Sequence, residues 1–150
     1  MGNDEQPLWR QAATHTLHTA LLLKALLEEH LQEQTDLLLA DNEALLNLAH
    51  ADQPLRMSDI ANRLILSRGG TTKVIDRLET MGYVERLPDP DDRRATVVDI
   101  TDAGRDAMGR ARAVIDEGLK ATWAEHVTDE EAAVIVDVMD RVVSDHLEAH

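Results

Sequence analysis

The chain has 150 residues, 43% of them hydrophobic, and a formal net charge of −14 at pH 7, which suits one ordinary domain with an apolar core. The absence of cysteine excludes disulfides, thiolate metal sites and thiol redox sensing. Because no apolar run reaches membrane-spanning length and the first ten residues lack the features of a secretory signal, we expect a cytoplasmic protein with no membrane partner.

The first predicted element is a long helix over Leu8–Gln34. Nearly every residue of Leu21–Leu27 is apolar, so more than one face of this helix must be covered. A lone helix on a small domain cannot bury that much surface, which indicates that a second copy of the chain shares it. Asp41 or Asn42 is the predicted cap of the next helix, which Pro54 ends.

A helix-turn-helix comes next. A short strand over 55–57 leads into a first helix, Ser58–Leu64, and a tight turn separates it from a second helix, Ser67–Met81. Gly82 stops the second helix. Glycines 69 and 70 are costly inside a helix; either close approach to DNA or packing against the first helix explains them.

Two strand-like runs, Tyr83–Leu87 and Ala95–Ile100, follow the second helix. A tip rich in proline and aspartate joins them and carries Arg93 and Arg94. This is the layout of a winged helix-turn-helix, in which the second helix enters a DNA major groove and the hairpin reaches the neighbouring minor groove. The predicted partner is therefore double-stranded DNA.

The rest of the chain is predicted to be helical. Thr101 is a good N-cap for a long helix that runs to about His126, and Thr128–Glu131 is a capping box that opens a last helix with an apolar face. We expect a mainly α fold with a small β-hairpin wing, in which the first helix and the last two form a dimerisation layer across a twofold axis. The predicted divisions are an N-terminal dimerisation helix (1–36), a winged helix-turn-helix DNA-binding domain (37–101) and C-terminal dimerisation helices (102–150).

Charge is segregated along the chain. Residues 1–55 hold two basic and nine acidic residues, a net of −7, and residues 95–150 hold five and thirteen, a net of −8. Residues 56–94 hold eight basic and seven acidic residues, a net of +1. This distribution is typical of a DNA-binding segment on an acidic scaffold. The alternative is an acidic, solvated surface around an ordinary middle segment.

The chain resembles the MarR family of bacterial transcription regulators over essentially its whole length. SDIANRLILSRGGTTKVIDRLETMGYVER resembles the adaptor and recognition helices of the family, and DPDDRRATVVDITDAG resembles its wing and the exit from it. The second string is the more specific, because Asp-Arg-Arg, a short strand and then Thr-x-x-Gly is characteristic of that family among winged helices. The resemblance implies a homodimer on a pseudo-palindromic operator, commonly a repressor released by a small, often phenolic or anionic, ligand.

The second helix supplies most of the predicted DNA contacts. Arg68 can pair with a guanine, and Lys73 more naturally holds the backbone. Arg77 is predicted to be a structural partner of Asp59, Asp76 or Glu79. At the wing tip one arginine is expected in a minor groove; the alternative is that one pairs with a neighbouring aspartate and the other is solvated. The complete predicted set is Ser67, Arg68, Gly69, Thr71, Thr72, Lys73, Arg93 and Arg94.

An effector site is predicted on the first helix. Arg10, Thr14 and His18 follow i, i+4 spacing, with Trp9 and His15 alongside. A fixed positive charge, an aromatic wall and two imidazoles suit a phenolic or aromatic-acid ligand. The alternative is that Arg10 pairs with an acid of a partner subunit and that the histidines are interfacial or solvated.

The sequence contains no motif for catalysis, and we expect no enzyme activity and no cofactor. The seven histidines show no metal-ligand pattern, so no metal site is predicted. The competing function is a winged-helix module that binds a protein without reading DNA, which the basic wing tip disfavours.

Overall fold

The structure, a computed structural model, describes residues 6–64, 67–92 and 94–147. Helices predominate over a small sheet, as the sequence predicts. The helices are α1 (Leu8–Gln34), α2 (Leu39–Ala49), α3 (Met57–Leu64), α4 (Arg68–Thr80), α5 (Asp102–Thr122) and α6 (Asp129–Leu147), with a 3-10 turn at Ala124–His126. The strands are β1 (Leu55–Arg56), β2 (Val84–Pro88) and β3 (Thr96–Ile100).

The three strands form one antiparallel sheet in the order β1-β3-β2. In the hairpin, Val84 lies opposite Ile100 and Pro88 lies opposite Thr96, while Leu55 of β1 pairs with Val98 on the other side of β3. The chain enters the hairpin through Gly82, whose φ of +75° is a conformation that side chains with a Cβ rarely adopt. The predicted winged helix-turn-helix is confirmed, with both hairpin strands starting one residue later than expected.

The hydrophobic core lies beneath the helix-turn-helix. It is enclosed by helices α2, α3 and α4 and by the inner face of the sheet. Helices α1 and α5 also contribute buried side chains to it. Gly118 of α5 lets α1 come close, because a Cβ there would lie 2.9 Å from Leu27 Cδ2. The largest fully buried apolar side chains are Leu31, Leu37, Leu45, Ile60, Ile75, Leu78 and Val98.

Local helix signals in the sequence correspond to three observed caps. Thr101 Oγ1 accepts from the backbone N–H of Gly104 at 3.1 Å. Thr128 and Glu131 form the reciprocal capping box, in which Thr128 N donates to Glu131 Oε2 at 2.9 Å and Glu131 N donates to Thr128 Oγ1 at 3.3 Å. Ser67 Oγ accepts from the N–H of Gly70 at 3.1 Å. The starts of α4, α5 and α6 are therefore confirmed.

Two predicted helix boundaries are wrong by more than one residue. Helix α2 begins at Leu39, and neither Asp41 nor Asn42 is its N-cap. Asp41 lies in the first turn, where its Oδ2 still accepts from the N–H of Leu38 at 2.8 Å, so the residue serves the helix start from inside it. Helix α5 ends at Thr122, and the 3-10 turn occupies the residues that were expected to continue it.

Two apolar surfaces stay uncovered in the single chain. Leu17, Leu21 and Leu22 are exposed on α1, and so are Val134 and Val136 on α6. These are the segments that the sequence assigns to a dimerisation layer. Within the described residues, no helix combines the length and the apolar character needed to cross a membrane.

Candidate nucleic-acid interface

Helix α4 presents one polar face to solvent. Its buried residues, among them Val74, Ile75 and Leu78, face the core, whereas Arg68, Gly69, Thr72, Lys73 and Asp76 are exposed. The exposed set is the one expected from the helical period of 3.6 residues. All of them except Asp76 lie in the first two turns of the helix, which is the part of a recognition helix that contacts base edges in a helix-turn-helix.

Thr71 corrects the predicted set of DNA-contacting residues. Its side chain is 1% exposed, and its hydroxyl donates to the Ser67 carbonyl at 3.1 Å. Thr71 precedes Leu78 by seven residues, almost two full turns, and therefore shares its buried direction. Thr72 also bonds back into the helix, to the Arg68 carbonyl at 2.9 Å, but its side chain is exposed.

A groove of about 380 Å³ lies between the start of α3 and the start of α4. It is lined by Met57, Ser58, Arg68 and Thr72. Because Ser67 caps α4 at the same edge, backbone N–H groups and the positive end of the helix dipole lie next to this groove. The groove combines a guanidinium, two hydroxyls and a helix N-terminus, all of which bind phosphates or base acceptors.

Three arginines of the basic segment are held by acids within the fold. Arg77 corrects the expectation of a nearby partner: its guanidinium contacts Asp41 on α2, with Nε 3.0 Å from Oδ2. Arg86 of β2 takes the two α4 acids instead, with Nη2 2.6 Å from Asp76 Oδ1 and Nη1 on Glu79. The third pair is Arg56 with Asp89, 33 residues apart. These arginines tie elements together.

The other basic residues of this segment are exposed, and none forms an ion pair with an acid in the described ranges. They are Arg63 on α3, Arg68 and Lys73 on α4, and Arg94 at the wing tip. Arg63 is not among the residues predicted from the sequence; the sign that could have identified it is its place in the basic segment, residues 56–94. Arg93 lies outside the described residues.

The wing tip is organised by backbone contacts to aspartates. Asp89 Oδ1 accepts from the N–H of Asp91 at 2.8 Å, and Asp92 Oδ1 accepts from the N–H of Arg94 at 3.0 Å. The Asp91 N–H, followed by the Arg56 guanidinium, holds the pKa of Asp89 below its usual value. The backbone of Arg94 is therefore held in place while its side chain remains exposed.

The Thr-x-x-Gly string at the wing exit joins the wing to α5. Besides capping α5, Thr101 donates its hydroxyl to the Gly82 carbonyl at 2.7 Å and its N–H to the Tyr83 carbonyl at 3.1 Å. A Cβ at Gly104 would collide with that same Tyr83 carbonyl oxygen. Thr101 and Gly104 therefore fix where the hairpin leaves the end of α4.

Gly69 has no packing role among the described residues. A Cβ built at this position meets no described atom within 4 Å. Packing against α3 therefore does not explain Gly69, and the other alternative drawn from the sequence, close approach of the helix to DNA, stays a prediction.

The five residues of the predicted effector site lie near the start of α1. Trp9, Arg10, Thr14, His15 and His18 are all exposed in the single chain, so this chain alone does not enclose a ligand among them. A cleft of about 400 Å³ instead lies between α1, α2 and α5, lined by six apolar side chains and by the polar residues Asn42, Glu43, His50, Arg112 and Asp116. Asn42 is 6% exposed, and its Oδ1 has no hydrogen-bond partner among the described residues.

Comparison with known proteins finds similar transcriptional regulators. A family model described as the MarR family matches residues 44–96. The chain is similar to the HTH-type transcriptional regulator YdgJ of Bacillus subtilis, at 31% identity over 100 residues that cover 67% of this chain and 60% of that protein. The chain spans less than two thirds of the length of the first curated relatives that it matches.

Solved structures resemble the whole fold. AbsC, a MarR family transcriptional regulator from Streptomyces coelicolor, has a TM-score of 0.80 at 25% identity, covering 97% of this chain and 98% of that one. Sco3205 from the same organism, solved in complex with DNA, has a TM-score of 0.81 at 23% identity, covering 95% and 92% of the two chains. These proteins are transcriptional regulators, in agreement with the prediction that the chain is not an enzyme.

Proposed function

We propose that this chain is a sequence-specific DNA-binding repressor. The proposal rests first on the family to which the chain belongs, the MarR family of bacterial transcriptional regulators. In this proposal it acts as a homodimer on a pseudo-palindromic operator and is released by a small aromatic or anionic ligand. The observation that carries the DNA-binding part is the sorting of the basic residues. Those that tie the fold together have acidic partners, whereas Arg63, Arg68, Lys73 and Arg94 are exposed along the helix-turn-helix and the wing.

Each exposed residue has a distinct proposed role. Arg68, beside the groove at the start of α4, reads a guanine edge, because a guanidinium can donate two hydrogen bonds to O6 and N7. Lys73 holds a phosphate, and Thr72 contacts a thymine methyl or a phosphate. Arg94 enters the minor groove, where the negative potential favours an arginine. Arg93 stays in the proposed set as the neighbouring tip residue.

The backbone also contributes to the proposed interface. Ser67 ends the turn at the positive end of α4, so that N–H groups of the first turn point toward a phosphate. Gly69 adds no side chain between the helix and the base pairs. An acidic protein can bind DNA through such a face because the attraction depends on the charges near the phosphates. Acidic residues farther than about 10 Å from the DNA are largely screened by salt at 0.1 M.

The proposed dimer would cover the apolar faces of α1 and α6. Leu21 and Val134 are 58% and 63% exposed in the single chain, and contiguous exposure of large apolar side chains marks an interaction surface. A twofold arrangement of these helices would carry two recognition helices with half-sites about 10 bp apart, one turn of the duplex.

For the effector, two sites remain in the proposal. One is the face of α1 with Trp9, Arg10, Thr14, His15 and His18, which needs a second subunit to enclose a ligand. The other is the cleft between α1, α2 and α5. There Asn42 Oδ1, which has no hydrogen-bond partner among the described residues, would accept a hydrogen bond from a ligand hydroxyl or N–H. A ligand at either site would release DNA only by binding better to a conformation in which the two recognition helices are wrongly spaced.

A mobility shift with a library of genomic fragments tests the proposal. DNA recovered from the retarded band should contain an inverted repeat, and a probe carrying it should compete better than random DNA of equal length. A protein that binds no fragment, or all fragments equally, would instead support the interaction-module alternative. With the recovered operator in hand, salicylate titrated into the complexes of wild type, Arg10→Ala and Asn42→Leu distinguishes the two effector sites.

A further inference from the structure

The Arg56–Asp89 ion pair joins the body of the domain to the far end of the wing. Arg56 closes β1, and its Nε and Nη2 each lie 2.6 Å from Asp89 Oδ2. The two side chains differ in exposure, at 49% for Arg56 and 4% for Asp89. An almost fully buried carboxylate on a loop requires a fixed partner, and Arg56 supplies it through two nitrogens that both contact Oδ2.

The ion pair acts near the wing tip because Asp89 lies beyond the end of β2. The β2–β3 ladder ends at the pair Pro88 and Thr96, and Asp89 is the next residue along the chain. The ion pair therefore attaches the hairpin to β1 just beyond the last rung of the ladder. Toward the tip the hairpin consists of β2 and β3 alone, and two-stranded ribbons twist more than wider sheets. Without the ion pair, only this ribbon would connect the tip to the rest of the domain.

Asp89 also shapes the tip that carries Arg94. One carboxylate oxygen holds Arg56, and the other accepts from the N–H of Asp91 at 2.8 Å. The backbone N–H of Asp89 donates across the hairpin to the Ala95 carbonyl at 3.1 Å. Residues on both sides of Arg94 are thus connected, through one carboxylate and its peptide group, to Arg56.

The surroundings of Arg56 argue against a direct contact with DNA. The cleft of about 620 Å³ beside it is lined by three carboxylates, those of Asp59, Asp89 and Asp91. Three negative charges around one guanidinium make this cleft unfavourable for a phosphate. The side chain of Arg56 is directed at Asp89, whereas that of Arg94 has no acidic partner in the described part of the chain.

We propose that Arg56 and Asp89 are positioning residues for DNA binding: their ion pair sets the angle of the wing, and with it the distance between the Arg94 contact and the recognition helix. This inference rests on the proposed function, since it assumes that the wing contacts DNA. The expected effect of a substitution at Asp89 is opposite to what the change in charge alone predicts. Replacing Asp89 with asparagine removes a negative charge near the DNA and should nevertheless weaken binding.

The test compares Asp89→Asn with Asp91→Asn on the recovered operator by fluorescence anisotropy. Both variants remove one carboxylate from the wing loop, but Asp91 has no ion pair among the described residues. We expect Asp89→Asn to raise the Kd about tenfold, a factor equivalent to about 1.4 kcal/mol, and Asp91→Asn to leave it unchanged or lower it. A Kd for Asp89→Asn equal to or below that of the wild type overturns the proposal.

A second comparison separates positioning from direct contact. Arg56→Gln should raise the Kd about as much as Asp89→Asn, but it should add little once Arg94→Ala is present, because the wing has then lost the contact that the pair positions. Full additivity of Arg56→Gln and Arg94→Ala would mean that Arg56 contacts DNA itself, and would refute the inference. Glutamine keeps a side-chain N–H that can donate to the buried Asp89 carboxylate, and the circular dichroism spectrum of Arg56→Gln is recorded beside the binding data to show that it is folded. This cycle then decides the matter even if Asp89→Asn unfolds. A wild-type protein that binds no DNA would defeat the proposed function, whereas operator binding unaffected by Asp89→Asn would defeat the positioning role alone.

Discussion

Asp41 of α2 and Arg77 of α4 form a buried ion pair that fixes the recognition helix on the core. The Asp41 side chain is 0% exposed and that of Arg77 is 35% exposed, and Nε of the arginine lies 3.1 Å and 3.0 Å from the two carboxylate oxygens. Asp41 Oδ2 also accepts from the N–H of Leu38. One carboxylate therefore serves both the start of α2 and the orientation of α4.

Breaking this pair should destabilise the fold strongly. Arg77→Ala leaves a carboxylate buried without its counter-charge, and we expect the free energy of unfolding to fall by about 3 kcal/mol. The double variant Asp41→Leu with Arg77→Met removes both charges and should recover much of that loss. Urea denaturation followed by circular dichroism measures both. If the double variant is no more stable than Arg77→Ala, burial of an unpaired charge is not the cause.

Gly104→Ala should also destabilise the protein, for a steric reason. The added methyl group would meet the carbonyl of Tyr83, a backbone atom that the hairpin and Thr101 hold in place. Forced overpacking of this kind costs about 1–3 kcal/mol. Gly109→Ala is the matched control on the same helix, because a Cβ there meets no described atom within 4 Å, so its thermal midpoint should stay equal or rise. Equal loss in both variants would show that the contact with the Tyr83 carbonyl is not the cause.

The sequence predicts this fold well wherever the determining contacts are local. The caps at Ser67, Thr101 and Thr128 depend on residues three positions away, so their patterns are visible in the chain. The partner of Arg77 is different, since nearby acids on α4 are equally plausible and only the approach of α2 selects Asp41. In the same way, Asp89 reads as a turn residue in the sequence, and its pairing with Arg56 depends on how the wing folds back.

The sequence predicts only part of the candidate site. Helical periodicity separates the exposed face of α4 from the buried one, but it left Thr71 in the contact set although that residue shares the direction of Leu78. Arg63 was overlooked because an arginine in the last turn of a helix already has a local explanation in the helix dipole. An effector site is the hardest to predict, because the residues lining it come from several helices.

Gly69→Ala is expected to affect stability and DNA binding in opposite directions. Alanine favours the helix over glycine by up to about 1 kcal/mol, and the space around this position is open, so the thermal midpoint should rise. If α4 approaches the base pairs at Gly69, the methyl group should raise the Kd for the operator. Thermal unfolding and anisotropy on the same preparation test both effects. A stabilised variant with unchanged affinity would remove Gly69 from the interface.

Replacing Arg68 should reduce sequence preference, whereas replacing Lys73 should reduce affinity for all DNA. Arg68→Ala should cost about 1–3 kcal/mol on the operator and relax the preference for one base, because it removes a base-edge contact. Lys73→Ala should weaken operator and random DNA alike and reduce the slope of log Kd against log salt by about 1. Titrations at four salt concentrations with both DNAs separate the two roles. An equal loss on operator and random DNA for Arg68→Ala would exclude it from base reading.

The uncovered apolar surface of α1 leads to a prediction about assembly. Light scattering at micromolar concentration should give the mass of a dimer, and Leu21→Glu should shift it toward a monomer, because a charge would then have to be buried in the interface. Gln32→Glu, an exposed position on the same helix, adds the same charge and should leave the dimer intact. Leu21 is largely exposed in the single chain, so its replacement should not unfold a monomer. Since one recognition helix then loses its tether to the other, operator affinity should fall in Leu21→Glu and stay unchanged in Gln32→Glu. A wild-type protein with the mass of one chain would refute the dimer while leaving the winged helix-turn-helix itself intact.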